Sequence, residues 1–270
     1  MPHAFVLQLR PQHPDTLLEY PSQYAQGLFY HLLETIDPAL SHAVHQSKQR
    51  NPFTLWCQPR YQRSSKYVAS VELRVTLLDD ALFAPLLQRV LTHSLTGLAL
   101  GQSAFHIQKL LATPEGHRDA DALSWSALSQ TPACAWLELR FLSPTVFATS
   151  ASDGRRIYTP LPDPRLLLQS WLRVYQRFHP QPYDEHIAAQ LHEVFAEHAQ
   201  VRYLDIHSSN YTAGKTKLHG FTGKASLHVH QAVPEVQQAL GRLGCLAFFS
   251  GVGAKTAYGM GQVRVRPMPS

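Results

Sequence analysis

The stretch Ser250-Gly-Val-Gly-Ala-Lys-Thr-Ala-Tyr-Gly-Met-Gly-Gln-Val-Arg264 decides how the rest of the chain is read. An apolar run, Gly244-Cys-Leu-Ala-Phe-Phe249, leads into it, and Gln262-Val-Arg-Val-Arg266 follows. The pattern predicts a buried strand over 244–249, a glycine-rich loop over 250–261 and a short last strand. Gly251, Gly253, Gly259 and Gly261 permit positive φ and let backbone approach a ligand with no Cβ in the way. Lys255, Arg264 and Arg266 set positive charge beside the loop's N–H groups, an arrangement suited to phosphate. An ordinary glycine hairpin closing a sheet is the alternative for the same residues.

Nucleotide-hydrolysis motifs fail here. A Walker A loop needs glycine immediately before its lysine and again five residues earlier, where Ala254 and Phe249 stand before Lys255. The other candidate, Gly214-Lys215-Thr216, has Ser209 in place of the first glycine. The dinucleotide pattern G-x-G-x-x-G also lacks its last glycine.

The loop Gly251-Val-Gly-Ala-Lys-Thr-Ala-Tyr-Gly-Met-Gly261 closely resembles the C-terminal signature of the CRISPR-associated RAMP proteins, in the version carried by the family that cuts precursor CRISPR RNA within its repeats. Gly220-Phe-Thr-Gly223, Phe141-Leu-Ser-Pro-Thr-Val-Phe147 and Asn51-Pro-Phe-Thr-Leu55 agree with it, so the resemblance extends from about residue 24 to residue 265. It implies an RNA partner (the CRISPR repeat), effector-complex subunits as a further partner class, and metal-independent cleavage with no cofactor. It also implies a histidine shortly before the Pro-Phe-Thr element, assisted by a tyrosine and a lysine.

Composition is compatible with this. The chain has 270 residues, 44% hydrophobic and 16% charged, which suits packed cores rather than disorder. Its net charge of +5 with 16 histidines held neutral suits a polyanionic partner. Cys57, Cys134 and Cys245 lie far apart in apolar runs with no C-x-x-C pair, so buried thiols in a reducing cytoplasm are expected. The start, Met1-Pro-His-Ala-Phe-Val-Leu7, lacks a charged region followed by a long apolar core, and no apolar run reaches membrane-spanning length, so no membrane role is expected.

Read in order, the chain predicts a strand over 4–10, a helix over 22–34 broken by Asp37-Pro38, short strands over 39–45 and 53–57, a strand over 66–77, a helix from Asp79 or Asp80 to about Thr92, and a strand over 102–111. Residues 113–132 are a polar linker or excursion. A second half follows: a strand over 134–141, helices over 164–178 and 184–198, strands over 201–207 and 215–230, a helix over 234–240 and a strand over 243–249. The fold class is α+β, with tandem ferredoxin-like (RRM-like) domains over 1–112 and 133–270 and a C-terminal glycine-rich loop.

The chemistry is expected between Tyr30 and Thr54. RNA is cut without metal when the ribose 2′-hydroxyl loses its proton and attacks the neighbouring phosphate, leaving a 2′,3′-cyclic phosphate and a 5′-hydroxyl. A histidine supplies the base or acid, and cations meet the charge on the phosphorane. His45, Lys48 and Arg50 bring these types together within six residues, and Tyr30 lies fifteen residues upstream on the first helix. The resemblance favours His45 with Tyr30 and Lys48 as catalytic residues and Arg50 as an RNA contact. His42 is the rival: an extended segment would point the two histidines to opposite faces. Either histidine also reads as a packing or surface residue, and Lys48 and Arg50 as solvated charges.

For binding, the second half offers Arg202, Lys215, Lys217, His219, Lys224 and the Arg155-Arg156 pair interleaved with Tyr203, Tyr211 and Phe221, and a predicted hairpin carrying Lys215, Lys217 and Lys224 suits gripping a backbone. A metal site is not expected: His228-x-His230 on a strand and His192 with His198 on a helix have no carboxylate or thiolate at ligand spacing. Two rivals stand beside RNA cleavage. One is a non-catalytic RAMP protein holding guide RNA in an effector complex, and the other a two-domain protein binding a small anion. The sequence leaves the oligomeric state open.

Overall fold

The structure, a computed structural model, describes residues 1–46, 51–92, 98–213, 216–230 and 232–269. The chain forms two compact units: Met1–Leu123 with Ala257–Gly259, and Ser124–Thr256 with Met260–Ser270.

The first unit runs β1 (His3–Pro11), α1 (Pro21–Ile36), α2 (Pro38–Gln46), β2 (Phe53–Tyr61), β3 (Val68–Leu77), α3 (Phe83–Thr92), β4 (Leu98–Leu100), β5 (Ser103–Leu111) and β6 (Asp121–Ala122). Its sheet has the order β2-β3-β1-β5-β4, with β6 added to β1. That is the ferredoxin-like arrangement, first and third strands central. Period-2 alternation fixes the register: Phe5, Leu7 and Leu9 stand opposite Val75, Leu73 and Val71, and all are buried. Onto this face α1 lays Ala25, Leu28, Phe29, Leu32 and Leu33, an i, i+3, i+4, i+7 stripe. The polar excursion after β5 is anchored rather than loose. Buried Arg74 donates from Nε to the Asp119 carbonyl at 2.8 Å, and the Leu123 amide donates to the Pro2 carbonyl at 3.0 Å.

The segment expected as a strand over 39–45 is instead the helix α2. Asp37-Pro38 breaks α1 and also starts the next helix. The Asp37 amide closes α1 on the Leu33 carbonyl, and its carboxylate accepts from the Ala39 amide at 2.9 Å. Pro38 occupies the first helical position, where its missing N–H is not needed.

The second unit runs α4 (Trp125–Ser129), β7 (Cys134–Thr145), β8 (Phe147–Ser150), β9 (Arg156–Thr159), α5 (Pro164–Phe178), α6 (Glu185–Glu197), β10 (Ala199–Ala213), β11 (Thr216–Val229), α7 (Pro234–Ser250) and β12 (Val263–Pro269). Its main sheet has the order β10-β11-β7-β12, again ferredoxin-like, and β8 pairs with β9. Asp163 and Asp184 cap α5 and α6 through their carboxylates. Leu137, Leu139 and Phe141 of β7 face the core, while Trp136, Glu138 and Arg140 alternate onto the open side.

A second correction falls here. The helix over 234–240 and the strand over 243–249 are one helix, α7, buried on nearly every side. A short apolar run broken by glycines carries no period that separates a buried strand from a buried helix. The glycines serve packing: a Cβ at Gly241 would lie 2.3 Å from the Pro132 carbonyl oxygen, and one at Gly244 would lie 3.1 Å from the Leu137 side chain.

Candidate active site

The turn between α1 and α2 brings Tyr30 and His45 together. The two rings meet edge to face, with centroids 5.0 Å apart and planes at 71°. Beneath them Tyr30 also meets Phe53 edge-on at 5.7 Å. Phe53 is fully buried and packs on Phe29 at 4.4 Å. The Pro-Phe-Thr element therefore supplies the wall that positions the tyrosine. Thr54 holds β2 to β3 through a buried hydroxyl pair with Thr76 at 2.6 Å. The Ser41 hydroxyl donates to the Tyr30 carbonyl at 3.4 Å, tying α2 back to α1.

Because α2 is a helix, His42 and His45 are three residues apart on neighbouring positions and do not point to opposite faces. Both are exposed, but the ring contact with Tyr30 belongs to His45. Burial, and secondarily the neighbouring Tyr258, raise the Tyr30 hydroxyl above its ordinary value. Tyr30 is thus a neutral hydrogen-bond donor at neutral pH.

Tyr258 is the residue that sequence reasoning missed. It sits on a single 3-10 turn, Thr256–Tyr258, inside the glycine-rich loop. Residues Ala257–Gly259 group with the first unit, and Ala257 joins that unit's core. The available signal was an aromatic hydroxyl between glycines in a loop otherwise built from small or flexible residues.

The loop's glycines do what their conformation allows, but toward protein. Gly251, Gly253, Gly259 and Gly261 all have positive φ, as does Lys255. A Cβ at Gly261 would lie 1.9 Å from the Val252 carbonyl oxygen, and one at Gly253 would lie 2.5 Å from that of Val146. The amides expected to face phosphate are already bonded internally. Gly251 N donates to Ala247 O at 2.9 Å, Gly253 N to Ser170 Oγ at 2.8 Å, Ala254 N to Val146 O at 2.8 Å and Gly261 N to Pro144 O at 3.0 Å. These amides are bonded within the protein, and the loop is a packed turn that carries Lys255 and Tyr258.

The predicted hairpin is β10–β11. Lys217 is exposed near its tip, opposite Thr212, and Lys224 is exposed between Asp205 on β10 and Arg140 on β7. Arg140 in turn stands opposite Arg264 of β12, so one cross-strand row of the open face carries three cations. Lys48, Arg50 and Lys215 lie outside the described residues. No three of His, Cys, Asp and Glu stand as a metal would require among the described residues. No helix there is long and apolar enough to cross a membrane.

Comparison with known proteins agrees with this architecture. The profile described as CRISPR-associated endoribonuclease Cas6 matches residues 139–263, and that of the CRISPR Cas6 N-terminal domain matches residues 1–130. The chain belongs to the Cas6 family. Among solved Cas6 structures, a product complex of the protein TTHB231 is 44% identical, with a TM-score of 0.90 over 98% of this chain and 100% of that one. A solved Thermus thermophilus Cas6 (TTHB231) is 40% identical, with a TM-score of 0.78 over 98% of each chain. The Cas6 endoribonuclease of Mycobacterium tuberculosis H37Rv is 29% identical over 138 residues, 51% of this chain and 41% of its own. That match thus spans about two fifths of the curated relative's length.

Proposed function

We propose that this Cas6 chain cuts CRISPR repeat RNA by metal-independent transesterification. His45 takes the proton from a ribose 2′-hydroxyl, and the oxygen attacks the adjacent phosphorus. The bond from phosphorus to the 5′-oxygen breaks, water protonates that oxygen and His45 returns its proton to solvent, leaving a 2′,3′-cyclic phosphate and a 5′-hydroxyl. Tyr30, a neutral phenol whose burial disfavours ionisation further, donates a hydrogen bond to the phosphorane. Lys48 meets the developing charge and Arg50 a flanking phosphate. Lys215, Lys217 and Lys224 grip the RNA backbone along the hairpin. Gly251, Gly253, Gly259 and Gly261 shape the turn that presents Lys255 to RNA.

The observation that carries this reading is the edge-to-face pairing of Tyr30 with His45 over the Phe53 wall. It sets a base and a neutral donor side by side on the surface. Relatives solved as product and substrate-mimic complexes, and one solved as a histidine-to-alanine mutant, support the same direction. The reaction belongs in a reducing cytoplasm, where three unpaired cysteines stay thiols.

Incubating the chain with repeat RNA in excess EDTA tests the chemistry. Cleavage at the parent rate with a cyclic phosphate end is expected. Loss of cleavage that divalent metal restores would overturn metal independence. Tight binding with no cut under any condition would make the chain a guide-RNA holder of an effector complex.

A further inference from the structure

At the root of the β10–β11 hairpin, where α6 runs into β10, lies a group of side chains that the reaction does not use. A cavity of about 390 Å³ opens there, lined by Glu197, His198, Gln200, Arg202 and His230. His230 Nε2 stands 3.1 Å from His228 Nδ1, 3.3 Å from Gln200 Oε1 and 3.4 Å from a terminal nitrogen of Arg202. Next to His228, opposite it on β7, Trp136 is 40% exposed, its ring 5.3 Å from the imidazole.

His198, His230 and the Arg202 guanidinium line this cavity, with Glu197 as the one carboxylate in the lining, and His228 stands against His230 beside it. Among the described residues no ion pair neutralises Arg202. The crowding has an electrostatic consequence: burial, then His230 and Arg202, hold the His228 imidazole below its ordinary value. An anion inserted among these groups relieves that repulsion and gains charge-assisted hydrogen bonds. A divalent metal fits less well, because no metal-competent set of ligands forms among the described residues. Beside this cavity, an exposed indole offers a flat apolar face of the kind on which unpaired bases stack.

We propose that the hairpin root binds one nucleotide of single-stranded RNA, its phosphate among Arg202, His230 and His228 and its base on Trp136. This rests on the reading that RNA is the partner, and it adds a second contact region. The pairs Gln200–His228 and Thr212–Lys217 are twelve residues apart along β10, roughly 40 Å at strand rise. The root therefore takes an unpaired flank rather than the segment held near the hairpin tip.

The test is fluorescence anisotropy of the full chain with a labelled hexauridylate carrying 2′-O-methyl sugars, which cannot be cut. Arg202→Gln and Trp136→Ala each alter an exposed side chain. Each is expected to weaken binding about fivefold or more, and Arg202→Gln to lower the salt slope by about 0.7. Affinity should rise toward acid pH as the bound anion draws a proton onto His228, whose neighbours His230 and Arg202 otherwise disfavour it. The His228 C2–H resonance should titrate at higher pH when hexauridylate is added. Unchanged affinity in both variants overturns the proposal. Displacement of the hexamer by equimolar uridine 5′-monophosphate overturns the RNA source in favour of a free nucleotide. A chain that binds repeat RNA but not the hexamer sinks this site alone, whereas one that binds no RNA sinks the function above as well.

Discussion

Tyr30 presents its ring face-to-edge to His45 at 5.0 Å, and this contact distinguishes His45 from His42 one turn earlier on the same helix. Binding is spread over many phosphates, while chemistry is concentrated in one proton transfer. His45→Ala is expected to bind repeat RNA nearly as the parent does and to cut it at least about a hundredfold more slowly. His42→Ala should stay within about threefold of the parent, and Tyr30→Phe should fall between them, because a phenol there orients and stabilises. Single-turnover cleavage rates compare the three. A dominant loss in His42→Ala would make His42, and not His45, the base.

The exposed hairpin cations make a different prediction, about affinity and not rate. Lys217 and Lys224 lie seven residues apart on β11. Replacing both by alanine should weaken repeat-RNA binding and flatten the salt dependence by about 0.7–0.9 per lysine, since each phosphate contact releases counterion. Filter binding across a salt series gives the slope. An unaltered slope would remove this strand from the RNA surface.

The glycine-rich loop is expected to behave as a packing element. Gly261 has φ +67, and a Cβ there would stand 1.9 Å from a carbonyl oxygen, whereas Gly154 has φ +80 with nothing within 4 Å. Gly154→Ala should cost only about 1–2 kcal/mol, the penalty of the left-handed region. Gly261→Ala adds a backbone clash and should cost clearly more, at least about 3 kcal/mol. Urea unfolding of the two variants separates the effects. Equal losses would mean that the loop yields around Gly261 without strain.

Much of this fold is visible in the alternation of its strands, because one face of each sheet is buried and a one-residue slip would expose it. Phe5, Leu7 and Leu9 on β1, and Leu137, Leu139 and Phe141 on β7, need no structure to be read as core. The misreadings share a cause. In α2 and in the second half of α7 the local pattern is too short or too uniformly apolar to carry a period, and tertiary burial selects helix. At the site, His45 and Tyr30 were candidates from the resemblance around Pro52-Phe-Thr54, and cleavage by their variants tests that role. Tyr258 was not a candidate, because its relation to Tyr30 spans more than two hundred residues and no local rule encodes it. Nor does a run of glycines reveal whether its amides will meet phosphate or protein.

Acid should weaken the first unit at a defined point. His3 is buried, stacks on Phe83 at 3.6 Å with nearly parallel planes, and lies 3.0 Å from Asp80. Burial lowers its folded pKa below the ordinary 6.5, outweighing the pull of Asp80. The unfolded chain then takes up the proton first, so stability is full above about pH 6.5 and declines as pH falls from there through the folded value. Thermal unfolding of the parent and of His3→Gln between about pH 8 and about pH 5 is the measurement. The parent's decline with acid should be steeper than the variant's, and identical slopes would clear His3 of the effect.

Tyr258 groups with the first unit and acts electrostatically on Tyr30, raising its hydroxyl further above the value that burial alone sets. If the two phenols serve the same phosphorane, their contributions to the rate should not be independent. Tyr258→Phe is expected to slow cleavage about tenfold, within the range of a single lost hydrogen-bond donor, while repeat RNA still binds within about twofold. The Tyr30→Phe/Tyr258→Phe double variant should then be slowed by less than the product of the single effects, because neighbours that share a partner do not add. A merely structural role for Tyr258 predicts another outcome: lowered stability, weaker RNA binding and multiplicative losses in rate. Single-turnover rates and affinities for the four proteins of this cycle decide between them, and strictly multiplicative rates at unchanged affinity would separate Tyr258 from the chemistry of Tyr30.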